Sequence, residues 1–165
     1  MMRTTAFLFL AIAAANAHAA KPEIERPPAA PQANGVVHTV RGLPEACANL
    51  QGRFTGQASQ PYAFGPVRTG ANCQPRARLV DPATAMPSEA GGWKLNDVVR
   101  VPSKECPGLQ AVIDIWRKPV VATPPKLDAQ GRARLYLQDA KASAGKATAV
   151  TQYTAKVAME GKPCG

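Results

Sequence analysis

The four letters RARL occur twice in this chain, in NCQPRARLVD (72–81) and in QGRARLYLQD (130–139). Each copy sets two arginines two residues apart. Arginine carries a planar fork of donors that matches carboxylates and phosphates, so Arg76, Arg78, Arg132 and Arg134 are candidate contacts for an anionic ligand. On an extended backbone side chains alternate, which puts Tyr136 on the same side as Arg132 and Arg134. Trp116 shares a face with Asp114 by the same rule. If the strands carrying Tyr136 and Trp116 are neighbours, their outer face is both aromatic and cationic and suits an anionic glycan or an acidic protein partner. Taken singly, each RARL copy is better read as the solvated side of a strand, where charge also discourages edge-to-edge aggregation.

Two further rings, Tyr62 and Phe64, stand in QPYAFGPVRTG (60–70), a stretch rich in proline and glycine. It reads as a rigid loop that presents aromatic side chains to a partner. The competing reading is that it folds back and uses the rings to plug one end of the domain.

Support for catalytic chemistry is thinner. His38 is the only histidine beyond position 19, and it alternates with Val36 and Val40, which reads as a structural histidine rather than a base. A single histidine without a closely spaced ligand pair also argues against zinc. The S-x-x-K match at 143–146 lacks the companion motifs of serine enzymes that use it. A phosphate-binding loop fails there too, because Ala140 and Ala147 stand where glycine and Ser/Thr are needed. Asp97 and Asp114 are the acids set within strongly apolar stretches. Two carboxylates can hydrolyse a glycoside, but only at a defined separation, and a carboxylate paired with a neighbouring cation explains Asp114 as well. The expectation is a protein that is not an enzyme and uses neither metal nor cofactor.

The elements that must position these residues follow from pattern. The first nineteen residues combine Arg3, an apolar run and Ala17-His18-Ala19, the features of a secretory signal peptide. The apolar run is shorter than the ~20 residues that span a membrane, and no transmembrane segment is expected elsewhere. Residues 20–35 carry four prolines and read as a flexible leader. The domain is then 36–165, a single unit of the size that supports one core.

Within it, strands are expected at 35–42, 52–57, 75–80, 93–101 (bulged at Asn96-Asp97), 109–118, 131–138 and 149–160, with one helical turn near 43–50. In the last strand Tyr153, Ala155, Val157 and Met159 are placed inward and Gln152, Thr154, Lys156 and Glu160 outward. About seven short antiparallel strands define an all-β sandwich or small barrel. Four cysteines in an exported chain read as two disulfides. Of the three possible pairings, Cys47–Cys73 with Cys106–Cys164 is preferred because it ties down the C-terminal tail.

The chain holds 20 Lys and Arg against 11 Asp and Glu. Without Arg3 the cations number 19 and the net charge is still about +8, scattered along the chain. These features together point to an exported binding protein, periplasmic or secreted. Its partner would be a protein or an anionic envelope polymer such as lipopolysaccharide. The alternative is an inhibitor or immunity protein acting on an enzyme of the same compartment, with a small carboxylate-dependent hydrolase as a third reading. Nucleic acid is not an expected partner, since export removes it and no binding motif is present.

Overall fold

The computed structural model describes residues 20–120, 128–132, 137–138, 150–162 and 164. Seven strands run through them: β1 (His38–Leu43), β2 (Ala48–Phe54), β3 (Tyr62–Arg68), β4 (Arg78–Leu79), β5 (Lys94–Pro102), β6 (Leu109–Lys118) and β7 (Gln152–Gly161). The short helix α1 (Pro82–Ala85), two 3-10 turns, Pro44–Ala46 and Glu89–Gly91, and a helical piece at 137–138 complete the described elements. Strands β1-β2-β3 form one sheet and β4-β7-β6-β5 the other, so the fold is an all-β sandwich and not a closed barrel. All pairings are antiparallel except β4 with β7.

The core lies between the sheets. Leu43, Leu50, Phe54 and Tyr62 from the first sheet meet Val99, Val101, Ala111, Ile113, Ile115 and Ala155 from the second. β6 is the centre of this arrangement because its run of branched residues is buried on both faces: Ala111, Ile113 and Ile115 inward, Val112 outward. On the outer face Val112 joins Leu95 and Val98 in a second small cluster, packed against Ala20 and Trp116. The register shift between Leu95 and Asp97 is the bulge expected at Asn96-Asp97, and it switches which residues face inward. Both disulfides form, Cys47–Cys73 and Cys106–Cys164. The first pins the turn after β1 to the loop leading into β4, and the second ties the tail to the β5–β6 turn.

Several expectations are corrected. Residues 20–34 are not a free leader. They lie beside β5 in parallel bridges, Ile24 with Asp97 and Gln32 with Ser103, and then reach β2 through Asn34 and Phe54. The prolines permit this because the donors fall between them. The amides of Glu23, Ile24, Ala29 and Gln32 bond to the carbonyls of Leu95, Asn96, Arg100 and Pro102. The strap therefore covers what would otherwise be the bare edge of β5.

The helical turn near 43–50 is only three residues long, and β2 begins at Ala48. The strand expected at 52–57 ends at Phe54, and the one at 75–80 shrinks to Arg78–Leu79. The strand expected over 131–138 does not form in its described part. Gly131 sits at φ +71° in a turn closed by Asp128, and 137–138 are helical; positions 133–136 lie outside the described residues. Thr154 is fully buried rather than wet, beside the large Trp116 side chain directly across from it on the outer face.

A candidate binding cleft between the sheets

Tyr62, Ala63, Phe64, Gly65, Pro66, Val67 and Arg68 form a strand where a ring-bearing loop was expected. Proline excludes this stretch from a central strand but not from an edge, and β3 is the edge of its sheet. Tyr62 and Phe64 consequently point between the sheets rather than outward from a loop tip. Tyr62 is buried and packs edge-on to Phe54, with ring centroids 4.9 Å apart at 66°. Its hydroxyl crosses over Gly52 to reach His38 Nε2 at 2.7 Å. His38 Nδ1 lies 3.3 Å from the Val36 carbonyl, which can only accept. The neutral ring therefore carries its proton on Nδ1 and accepts the Tyr62 proton at Nε2. Burial holds the His38 pKa below 6.5, against the opposing bond to Val36, and pushes the Tyr62 hydroxyl well above its ordinary range. The bond joins β1 to β3 across Gly52.

Phe64 is only half buried. With Leu50, Pro66, Leu79 and Ala155 it lines a cleft of about 410 Å³ that opens between the edge strands β3 and β4. Gly65, Val80, Asp81 and Pro82 complete the lining, so the walls are apolar with one carboxylate. Asp81 is occupied as the cap of α1, accepting from the Ala83 amide at 2.9 Å. Leu79, the residue following Arg78 in the first RARL copy, is thus a wall of the cleft. Arg76 and Arg78 are exposed, held by their backbone bonds to Glu45 and Thr151.

The strap runs along the opposite side of the sandwich, and at its end a second cleft of about 410 Å³ is lined by Asn34, Phe54, Ser103, Leu109 and Met159. Asp97, on the inward face of β5 with Val99 and Val101, is fully buried. Arg26 of the strap bonds both its carboxylate oxygens through Nε, at 3.0 and 2.8 Å. Arg41 Nε, from β1, is 3.2 Å from Oδ2, close enough for an ion pair but off the hydrogen-bonding direction. Asp114 is on the outer face of the same sheet, with Val112 and Trp116. Burial raises its pKa, and Glu160 adds to this while Arg100 and Lys156 oppose it. The two carboxylates therefore lie on opposite faces of the sheet and form no dyad.

The remaining candidates do not converge. Arg132 is exposed and paired with Asp128 at 3.5 Å; Arg134, Tyr136 and the 143–146 stretch lie outside the described residues. The amide of Leu137 bonds to the carbonyl of Pro75, which brings the two RARL neighbourhoods into contact through the backbone. Trp116 faces the outer side of the second sheet. Its Nε1 is buried without a partner among the described residues, as is the hydroxyl of its cross-strand neighbour Thr154. β6 is flanked by β5 and β7; Tyr136, which was expected to share a face with Trp116, lies outside the described residues.

What the sequence did not reveal is the pairing of β3 with β4 across a cleft, and the clamp on Asp97. The i, i+2 alternation of Tyr62, Phe64 and Pro66 was the available signal for the first. No family model matches this chain, and neither a curated protein nor a solved structure does.

Proposed function

We propose that this protein is an exported, non-enzymatic binding protein whose partner inserts an apolar group into the cleft between β3 and β4. The observation that carries this reading is the apolar lining of a cavity that opens at the side of the sandwich, with Phe64 half exposed within it. The second cleft, beside Asn34, Phe54, Ser103 and Met159, has a more polar rim that includes Glu105, Gln57 and Asn34, so the cleft at Phe64 is the better seat for an apolar group. Export follows from the reading of residues 1–19, and two disulfides are compatible with an oxidising compartment.

A protein partner is favoured over an anionic polymer. The cleft is apolar, which suits the side chains of a polypeptide better than the charged units of a polymer. The inhibitor reading uses the same cleft with an enzyme as its occupant. The cationic surplus favours a partner that is acidic, because like charges oppose encounter.

Nile red, a neutral apolar dye, tests the cleft directly. Its fluorescence should rise with the folded protein and fall in Pro66→Asp, which places a charge at an exposed position of the lining. Equal dye binding by the native protein and a Pro66→Asp variant that melts normally would remove the cleft from consideration.

A further inference from the structure

We infer that the partner is an acidic polypeptide segment that adds as a strand to the free edge of β3 while seating its apolar side chains in the cleft. This rests on the reading of the cleft given above and goes further by naming how the partner is held.

The main chain of β3 shows which of its groups are free. Just outside the strand, the Thr55 amide bonds to the Pro61 carbonyl and the Thr69 amide to the Cys47 carbonyl. In an antiparallel pair, residues that bond to the neighbour alternate with residues that turn their polar groups away. With 61 and 69 bonded to the β2 side, positions 63, 65 and 67 bond to β2 as well. Tyr62, Phe64, Pro66 and Arg68 are then directed outward, in register with Phe54, Gly52, Leu50 and Ala48. Pro66 fits this assignment, since a residue without an N–H sits at no cost where β2 requires no donor. The N–H groups of Phe64 and Arg68 and the carbonyls of Phe64 and Pro66 are left facing the edge. Among the described residues no strand pairs with that edge.

These positions also carry the side chains at the cleft. Phe64 and Pro66 line it, so a strand laid beside them is in register to send every second side chain into the same apolar space. The edge is not blunted in the way the β5 edge is, where the strap occupies the bonding positions. Pro66 removes one donor and keeps its carbonyl.

Charge selects the occupant. A second copy of this chain would bring its own surplus of about +8 to an edge that carries Arg68, which opposes self-pairing. A segment bearing carboxylates is drawn by that surplus and by Arg68, which β3 itself carries at its exposed end. Arg76 and Arg78 have no ion-pair partner among the described residues.

The probe is a peptide as long as β3 that alternates glutamate with valine. Three comparators accompany it: the same peptide N-methylated at alternate residues, a lysine–valine peptide, and the Arg76→Glu/Arg78→Glu protein. The glutamate peptide is expected to bind and to slow hydrogen exchange at the Phe64 and Arg68 amides. N-methylation, which keeps charge and apolar groups but removes donors, should weaken it by about tenfold or more. The lysine peptide and the charge-reversed protein should bind more weakly as well. Equal binding of the methylated peptide would overturn strand addition, and equal binding of the lysine peptide would overturn the acidic partner. Slow exchange at Phe64 and Arg68 before any peptide is added would show that the chain already covers its own edge, and would overturn the proposal too. The Nile red result is independent of all these, so a cleft that binds dye while the methylated peptide binds normally refutes strand addition alone.

Discussion

Arg26 Nε lies within 3.0 Å of both carboxylate oxygens of Asp97, which joins the N-terminal strap to a fully buried acid of the core. Arg41 approaches the same carboxylate from β1. One side chain thus ties together the strap, the first sheet and the second. A second tie lies nearby, where Glu23 bonds Arg117 of β6 and Asn96 of β5, and Arg117 holds the Glu23 carboxyl below the usual range. This charged seam runs along one side of the sandwich. The other side has no counterpart among the described residues and is where the cleft at Phe64 opens.

Removing the arginines should cost more than removing the acid. Arg26→Met with Arg41→Met leaves an uncompensated charge in a site with no exposure, a loss of about 3–5 kcal/mol by comparison with other broken buried pairs. Asp97→Asn removes the buried charge itself, and both arginines are partly exposed and free to turn toward water, so its cost should be smaller. Urea unfolding of the three proteins ranks them. If Asp97→Asn is the least stable, the seam is held by something other than charge compensation.

How much of this was legible in the sequence depends on which force dominates locally. β6 was readable to the residue because a run of branched and aromatic side chains has one good solution, a strand buried on both faces. The bulge in β5 was readable because Asn96-Asp97 interrupts an apolar alternation. β3 was not, since Gly65 and Pro66 weaken any strand score, and only the sheet order shows that an edge tolerates them. The strap was hidden for a related reason. Its prolines look like disorder, yet its stability comes from long-range bonds to β5 and from Asp97, more than seventy positions away in the chain. Of the second RARL copy only Arg132 and its approach are described, where Asp128 and Gly131 set a turn that the alternation of the following residues did not announce.

Gly52 is fixed by the course of the Tyr62 side chain. A Cβ at this position would overlap both the hydroxyl and the ring of Tyr62. Gly52→Ala should therefore destabilise the fold by about 1–3 kcal/mol, the range for overpacked cores. Tyr62→Phe alone forfeits the bond to His38, worth about 1 kcal/mol, and should not rescue Gly52→Ala because the ring still collides. Tyr62→Leu should rescue it in part. A double-mutant cycle in thermal unfolding reads the coupling, and strictly additive losses for Gly52→Ala with Tyr62→Leu would show that the two do not share space.

The pH dependence of stability should carry two opposed contributions. His38 has its folded pKa below the ordinary 6.5 because its ring is desolvated. As pH falls through 6.5 the unfolded chain takes up that proton first, so stability declines until the folded pKa is reached and then levels off. Asp114 has the reverse shift, with burial raising its folded pKa above 3.8. Its carboxylate costs stability near neutral pH, and as pH falls through the raised value the folded state takes up the proton first, returning stability down to 3.8. His38→Gln should abolish the first decline, and Asp114→Asn should raise stability at neutral pH while flattening the second. Urea midpoints measured in steps from about pH 7 to about pH 4 isolate each contribution as a difference from the native protein, because every other group cancels. A difference curve for His38→Gln that stays flat between about pH 7 and about pH 5 would mean that the imidazole titrates alike in both states, and that its bond to the Tyr62 hydroxyl does not depend on its being neutral.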